Sequence, residues 1–128
     1  MALNIDIPAT ILAYAGIEQP DIYQGESLLS LLHGDENSSW REGFFCEHRM
    51  DHEKIPKYIG YHGQRFVYAN YYEQEPAFEY LQDLQNNPDQ LINLASHSEY
   101  QQKLQEMRGL CKSNEVILSG NQKINNYE

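Results

Sequence analysis

The chain has 128 residues, enough for one domain of ordinary size that needs no disulfide or metal to hold its core. Its 19 Asp and Glu residues against nine Lys and Arg residues give a formal net charge of −10, which argues against bulk binding to nucleic acid or to an anionic membrane. It has no run of 18 apolar residues and no basic leader with a long apolar stretch, so we expect neither a membrane span nor a signal peptide.

The first 34 residues predict two short helices. In the stretch NIDIPATILAYAGI, Asp6 is placed to cap a helix and Gly16 to end it. The stretch ESLLSLLHG predicts a second helix, over residues 27–32. Two short apolar helices cannot bury each other completely, and we therefore expect them to pack on a larger body.

After a polar loop at residues 35–39, the pattern changes to short segments that are rich in Phe, Tyr, Val and Ile and separated by turn residues. This pattern predicts β-strands. Gly63 lies between the second and third segments and predicts a hairpin turn there. The four predicted strands span residues 43–48, 56–61, 65–72 and 78–83.

Two more helices are predicted after the strands. Asn87 is placed to cap a short helix in NNPDQLINLA, and Ser98 with Gln101 has the spacing of a capping box at the start of a longer helix. The longer helix carries an apolar stripe that would cover the sheet. The stripe consists of Tyr100, Leu104, Met107 and Cys111. Residues 119–128 are polar, and we expect them to form a loose tail.

Positive charge is concentrated between residues 41 and 65. This window holds five of the nine Lys and Arg residues, four of the 19 acidic residues and three of the five histidines. An anionic ligand would therefore approach the chain here, since the rest of the sequence is strongly acidic. Chance clustering on a solvated surface is the alternative interpretation.

The stretch FFCEHRMDHE, within this window, concentrates reactive side chains. His48 and His52 would share a face on a helix, as zinc ligands do, but Arg49 follows directly and the flanking pattern indicates strand and loop, so we predict no metal site. Cys46 and His48 would share a face of a strand, as a thiol–imidazole pair requires. No further residue completes a triad, and we interpret Cys46 as a core residue. The sequence leaves undecided whether Cys46 and Cys111 form a disulfide.

Five motifs that follow one another over residues 3–112 resemble the C-terminal part of type I sulfatases, the arylsulfatase-like family. NIDIPATILAYAGI with YQGESLLSLLHG resembles the family's N-x-D-[IL]-x-P-T-[IL]-L-x-x-A-G-[IV] … x-G-x-S-L-x-x-L-L-x-G segment. WREGFFCEH resembles its W-R-x-x-[FY]-x-x-E-[HY] strand. The stretch from IPKYIGYHG to NNPDQLINLA resembles the block that ends in D-L-x-x-D-P-x-E-x-x-N-L-A, and the following helix matches as well.

The resemblance implies an α+β fold, in which a small four-stranded antiparallel sheet is packed by a C-terminal helix and preceded by two short helices. It also implies three parts of the chain. Residues 1–34 would be the helical tail end of the sulfatase catalytic α/β domain, residues 40–118 the C-terminal subdomain, and residues 119–128 the loose tail.

Sulfatases hydrolyse sulfate esters or sulfamates, often on glycans. They use a formylglycine made from Cys or Ser in C/S-x-P-x-R and a bound divalent cation, usually calcium. This sequence contains no such pentapeptide, since neither cysteine and no serine is followed by x-Pro-x-Arg. The resemblance therefore implies a fragment that is not catalytic alone, with calcium and formylglycine in a preceding N-terminal part. The parent sulfatase would be periplasmic, secreted or lysosomal.

The resemblance implies two partners in the whole enzyme, the N-terminal catalytic domain and a sulfated carbohydrate. We expect the subdomain to brace that domain and to line one side of the substrate cleft, with no catalytic residue in this chain. The candidates for contacts in the cleft are His48, Arg49, His52, Lys54 and His62. The alternative is a free-standing interaction module that covers a partner, or self-associates, through its apolar N-terminal helices.

Overall fold

The computed structural model describes residues 1–35 and 39–122, with the backbone alone at residues 116–122. The chain divides into two compact units, Met1–Arg41 and Glu42–Glu128, which we call the N-terminal unit and the sheet unit. None of the helices in the described ranges combines the length and the apolar character that crossing a membrane requires.

The N-terminal unit contains two short helices, α1 at Asp6–Tyr14 and α2 at Leu29–Leu32. α1 ends shortly before Gly16, which has the positive φ of 68° typical of a residue that stops a helix. α2 begins two residues later than predicted, so Ser27 lies outside it. The Ser27 hydroxyl accepts a hydrogen bond from the Leu29 backbone N–H at 3.3 Å, a local bond that competes with helical pairing.

The prediction that Asp6 caps α1 is wrong. Ile5 occupies the cap position without a side-chain hydrogen bond, and Asp6 is the first helical residue. Its carboxylate accepts hydrogen bonds from the backbone N–H groups of Leu3, at 2.7 Å, and Glu26, at 2.9 Å. The Arg41 guanidinium, 35 residues away, donates two more. These charge-assisted bonds hold the carboxylate away from the cap of its own helix.

The sheet unit contains four strands, each antiparallel to its neighbour in the chain, which confirms the sheet of the expected α+β fold. The strands are β1 Gly43–His48, β2 Tyr58–Gly63, β3 Phe66–Tyr71 and β4 Phe78–Asp83. β1 and β4 have the predicted bounds. β2 lies two residues later than predicted because Gly63 pairs with Gly43, and the hairpin turn therefore falls at Gln64 and Arg65.

The core of the sheet unit lies between the sheet and a long helix, α3 at Gln101–Gln122. One row of paired strand residues packs toward the helix. The row consists of Phe45, Tyr61, Tyr68 and Leu81. On α3, Leu104, Met107 and Cys111 are buried in the same core, and Tyr100 packs against it from just before the helix. The predicted apolar stripe is therefore confirmed.

The short helix predicted in NNPDQLINLA is wrong, since this stretch forms turns. Gln90 has a positive φ of 55°, which is incompatible with an α-helix. Asn93 extends the outer edge of β4 instead. Its side-chain oxygen accepts a hydrogen bond from the Leu81 N–H at 3.0 Å, and its amide donates to the Glu79 carbonyl at 2.8 Å. Pairing of this exposed sheet edge takes the place of a local helix.

The capping box predicted for Ser98 and Gln101 is also wrong. Ser98–Tyr100 forms one turn of 3-10 helix, and no side chain caps it. The Gln101 amide donates instead to the backbone carbonyls of Ala95, at 2.9 Å, and His97, at 3.2 Å. The glutamine therefore holds the loop before the helix, as a capping residue would hold the first turn.

α3 extends to Gln122, so the first residues of the predicted loose tail are helical. Once a helix has formed, each further residue adds a backbone hydrogen bond, and a polar extension needs no buried partner. Residues 123–128 of the predicted tail lie outside the described residues.

Candidate functional site

The structure separates the five cleft candidates into two groups within the sheet unit. Four of them lie at the end of β1 and in the loop that leads to β2. These are His48, Arg49, His52 and Lys54. His62 lies near the opposite end of the same strand pair, because the register places it beside Phe44. We call the first group, at the end of β1, the loop cluster.

His48 begins a row of rings on the sheet face opposite α3. Side chains alternate along a strand, and Phe45 packs toward the helix, so His48 points to the other face. Its ring centroid lies 6.4 Å from that of Tyr58, the Tyr58 ring lies 5.5 Å from Tyr71, and the Tyr71 ring lies 5.6 Å from Phe78. Cross-strand ring contacts stabilise this end of the sheet. The His48 Nε2 atom is buried without a hydrogen-bond partner in the described part of the chain.

Arg49 is tied to two carboxylates. Its Nε donates to Glu47 at 2.7 Å, and a terminal guanidinium nitrogen donates to Glu115 of α3 at 2.9 Å. The hydrogen bond that Arg49 donates to Glu47, and then the one that it donates to Glu115, raise the pKa of Arg49. Arg49 therefore connects the end of β1 to α3, and its charge is already balanced within the sheet unit.

His52 and Lys54 occupy the exposed tip of the loop cluster. The His52 Nδ1 atom accepts a hydrogen bond from the Lys54 backbone N–H at 3.1 Å, and Lys54 is exposed. His52 also lines an open cavity of about 170 Å³ together with Lys57. Lys57 is paired with Asp51, at 2.6 Å, and with Glu73, at 3.0 Å, and these two carboxylates raise its pKa.

His62 is held in place by its neighbours in the sheet. Its ring stacks on Phe44, with 5.3 Å between centroids and 8° between planes. Its Nδ1 atom lies 3.0 Å from the Gly63 carbonyl oxygen, which can only accept, so the Nδ1 proton is donated there. His62 is thus a packed side chain, distant along the strand from the loop cluster.

Most of the positive charge of the 41–65 window is balanced by acids from other parts of the chain. The pairs are Arg49–Glu115, Lys57–Glu73 and Arg65–Asp83 in the sheet unit and Arg41–Asp6 in the N-terminal unit. Arg65 Nε donates to Asp83 at 2.9 Å, and this buried carboxylate has its pKa lowered by the pairing. Lys54 is the one Lys or Arg of the window without an ion pair among the side chains that are described.

The thiols do not form a reactive site. Cys46 is half-buried and Cys111 is buried, both are free, and the disulfide that the sequence left open is not formed. Burial raises the pKa of the Cys46 thiol, and burial raises that of Cys111 to about 11, so both remain protonated at neutral pH. A protonated thiol is a poor nucleophile, which argues against a catalytic pair of Cys46 with His48.

The described residues also do not fit the calcium site that the resemblance implies for sulfatases. Within residues 1–35 and 39–122, no group of three or more His, Cys, Asp or Glu side chains is arranged to hold a metal ion. His48 and His52 lie on a strand end and a loop, not on one face of a helix.

A polar network beside α3 was not predicted. The Tyr68 hydroxyl donates to Glu79 at 2.7 Å, and Arg108 of α3 donates to the same carboxylate at 2.8 Å. The Arg108 bond lowers the pKa of Glu79, and burial raises that of Tyr68. These residues line an open groove of about 370 Å³. Their separations of 11 and 29 residues follow no periodicity, so no local sequence signal could have found them.

An antiparallel sheet crossed by one long helix makes the sheet unit an α+β domain. The chain belongs to the family described as N-sulphoglucosamine sulphohydrolase, C-terminal, whose model matches residues 1–115. The predicted relation to the C-terminal part of sulfatases is therefore confirmed.

Characterised relatives and a solved structure agree with this assignment. The chain is 26% identical to an N-acetylglucosamine-6-O-sulfatase of Bacteroides thetaiotaomicron, over 88% of this chain and 21% of that protein. It is 32% identical to an arylsulfatase of Clostridium perfringens, over 80% of this chain and 20% of the relative. A solved protein in complex with its substrate D-glucosamine-2-N,6-O-disulfate shares the fold, with a TM-score of 0.78 and 21% identity over 95% of this chain and 25% of that chain. The chain thus spans about a fifth of the length of the curated relatives.

Proposed function

We propose that this chain serves as the C-terminal subdomain of a sulfuric ester hydrolase that acts on sulfated glycans. The family match over residues 1–115 supports the enzyme class. The names of the relatives, one an N-acetylglucosamine-6-O-sulfatase and one an arylsulfatase, support a sulfate ester as substrate. Because those relatives are about five times longer, the chemistry would be carried out by the other part of such an enzyme.

In this proposal the sheet unit braces the catalytic domain and lines one side of its substrate cleft through the loop cluster. The observation that carries it is the exposed side chain of Lys54, which has no ion pair among the described side chains and whose backbone N–H is bonded to the exposed His52. A cation without an internal partner can bind a sulfate group, whereas Arg49 would first have to leave Glu47 and Glu115. Lys54 and His52 are therefore the favoured contacts, and His48, Arg49 and His62 support the loop and the sheet.

The formylglycine and the divalent cation of a sulfatase would lie N-terminal to the region that this chain matches. No C/S-x-P-x-R pentapeptide occurs in the sequence, and the described residues offer no cluster for a metal. The role proposed for this chain is therefore binding and orientation of the sulfated glycan, with no proton transfer or bond cleavage by its own residues.

The test uses the full-length enzyme and two substrates, a sulfated oligosaccharide and a small aryl sulfate. In Lys54→Ala, loss of one charged contact of about 1 kcal/mol should raise KM for the oligosaccharide about fivefold. KM for the aryl sulfate and kcat for both substrates should stay unchanged, since the small substrate would not reach the loop. Lys112→Ala removes an exposed lysine of α3 outside the loop cluster and is the matched control.

Equal KM changes for both substrates, or none, would contradict the proposed contact. The sulfatase assignment itself has a separate test in the coding sequence upstream of Met1. An in-frame C/S-x-P-x-R motif is expected there, and an uninterrupted upstream frame without it would contradict the enzyme class.

A further inference from the structure

The loop between β1 and β2 and the turn between β3 and β4 lie at the same end of the sheet. Each strand is antiparallel to its neighbour, so the β2–β3 hairpin turn falls at the opposite end. The two connections are in contact, because the Lys57 ammonium group lies 3.0 Å from the Glu73 carboxylate. The open cavity of about 170 Å³ beside His52 is lined by both connections, and we call it the two-loop cavity. Its lining includes Asp51, His52, Ile55, Lys57, Glu73 and Gln74.

The two-loop cavity is negatively charged, unlike the surface at Lys54. The carboxylates of Asp51 and Glu73 line it against the single ammonium group of Lys57. Lys57 binds both carboxylates, and its hydrogen bond holds the pKa of the Asp51 carboxyl below the usual value. An anionic group such as a sulfate would therefore be repelled from the cavity. A cationic ligand is disfavoured as well, since Lys57 already neutralises one of the two carboxylates.

The cavity offers both hydrogen-bond acceptors and hydrogen-bond donors to an uncharged ligand. Each carboxylate oxygen has more than one acceptor site, so Asp51 and Glu73 can accept from a hydroxyl group in addition to the bonds that they already make. Because the His52 Nδ1 atom accepts from the Lys54 backbone, the neutral ring carries its proton on Nε2 and can donate at the border of the cavity. The Gln74 amide supplies one further donor group and one acceptor. Hydroxyl groups, which both donate and accept, match this lining.

From these observations we propose that the two-loop cavity holds an unsulfated sugar unit next to the sulfated unit bound at Lys54, an inference that rests on the proposed function. Ile55 gives the cavity an apolar wall, which suits the carbon ring of a sugar. A volume of about 170 Å³ equals the share of five or six water molecules at about 30 Å³ each, so it accepts one such unit at most. Asp51 and Glu73 would then select the neighbouring unit by repelling a second sulfate, a common means of specificity.

The experiment uses the full-length enzyme and two oligosaccharides that both carry a sulfate at the cleaved position. In the first substrate the neighbouring unit bears only hydroxyl groups, and in the second it bears another sulfate. The wild type should have a KM about fivefold lower for the first substrate, because the additional sulfate of the second meets the carboxylates of the cavity. Glu73→Gln removes one negative charge and keeps an acceptor oxygen, so KM for the second substrate should fall about threefold with kcat unchanged.

Two further variants separate selection in the cavity from general effects of charge and folding. Glu75→Gln is the matched control, because Glu75 is exposed in the same turn and lies outside the lining of the cavity. It makes the same change of charge and should leave the ratio of the two KM values unchanged. Asp51→Asn removes the other carboxylate at a side chain that is 94% exposed, where a substitution has little effect on folding. It should shift the ratio in the same direction as Glu73→Gln.

Equal KM values for the two oligosaccharides in the wild type, or a lower value for the second, would overturn the inference. So would a ratio that stays unchanged in both Glu73→Gln and Asp51→Asn, or one that Glu75→Gln shifts as far. Lys54→Ala should raise KM for both oligosaccharides by the same factor, so a failure of the sulfate contact appears in that variant and leaves the ratio intact. No activity toward either oligosaccharide would contradict the proposed function and this inference together.

Discussion

The sheet unit and the N-terminal unit bury different kinds of side chain. The sheet unit closes around one continuous apolar core between the sheet and α3. Its buried members are Tyr68, Leu81, Leu94, Leu104, Met107 and Cys111. In the N-terminal unit the buried side chains are Ala9 and the carboxylate of Asp6, which is paired with Arg41. Ile7, Ile11 and Tyr14 of α1 remain exposed.

This difference indicates which unit can be stable by itself. Burial of apolar surface contributes about 25 cal/mol per Å², so the sheet unit has its main source of stability inside its own bounds. A buried ion pair specifies an arrangement but adds little net stability, because both ions lose their hydration. The N-terminal unit is thus held in one conformation by polar contacts around Asp6.

The two units can be observed separately. Trp40, the only tryptophan, lies in the N-terminal unit, where its indole N–H donates to the Met1 carbonyl at 2.6 Å. Tryptophan fluorescence therefore reports on that unit. Far-UV circular dichroism is dominated by α3 and reports on the sheet unit.

The largest effect is expected from Arg41→Ala. It leaves the buried carboxylate of Asp6 without its counter-charge, which should destabilise the N-terminal unit by about 3–5 kcal/mol. Trp40 emission should shift to that of an exposed indole at neutral pH, while the far-UV spectrum is largely retained. Arg41→Lys keeps the charge but loses the bidentate hydrogen bonding to Asp6, and it should have a smaller effect. Unchanged emission in Arg41→Ala would contradict the importance given to this pair.

The matching change in the sheet unit is Leu104→Ala. Leu104 is 2% exposed, and its truncation should destabilise this unit by about 3 kcal/mol through lost burial and a residual cavity. The denaturant midpoint from circular dichroism should fall, with the Trp40 transition unchanged. Leu110→Ala is the control. Leu110 belongs to the same helix but is 43% exposed, so its truncation should change the midpoint little. A joint fall of both transitions in Leu104→Ala would mean that the units unfold together.

Acid should weaken the N-terminal unit through Asp6. The hydrogen bond with Arg41 is the main cause that lowers the pKa of the Asp6 carboxyl from 3.8 to about 2. Because the folded-state pKa is the lower one, the stabilisation is fully present above about pH 4 and is lost as the pH falls toward about 2. The loss should be about 2 kcal/mol, seen as a lower denaturant midpoint of Trp40 fluorescence. Asp6→Asn should flatten this pH dependence, and a wild-type midpoint that is flat over the same range would refute it.

The smallest effect is expected from Arg49→Ala. Its two ion pairs, with Glu47 and Glu115, lie at the surface of the sheet unit, with nearly half of the arginine side chain exposed. Exposed pairs contribute about 0–1 kcal/mol and less at high salt. The midpoint from circular dichroism should therefore fall only slightly, and added salt should reduce the difference from the wild type. A loss comparable with that of Leu104→Ala would show that Arg49 has a structural role beyond its charge.

The local sequence pattern was sufficient to predict an element wherever one of its faces packs against a single apolar surface. The bounds of β1 and β4 follow from runs of Phe, Tyr and Leu, and the buried face of α3 follows from the spacing of Leu104, Met107 and Cys111. The order of the motifs along the chain was sufficient to predict the family, and the family match over residues 1–115 confirms that prediction.

The sequence could not predict the contacts that join residues distant in the chain. Asn93 pairs with the edge of β4, where a helix was predicted, because the sheet offers unpaired backbone groups at that position. Four of the five candidate site residues do lie together, but the prediction that they form a cationic surface did not include their partners. Glu115, which binds Arg49, is 66 residues away.

The sequence by itself determined the apolar periodicities, the strand and helix types that follow from them, and the motif order that marks a sulfatase C-terminal region. Periodicity suffices for these because a helix or strand face repeats every few residues. Only the tertiary structure decided that Asp6 binds Arg41 and not its own helix, and that Lys54 alone among the cations of its window lacks an ion pair in the described residues. The physical reason is that a charge pairs with whichever opposite charge the fold brings within a few ångströms, and sequence distance does not enter that competition.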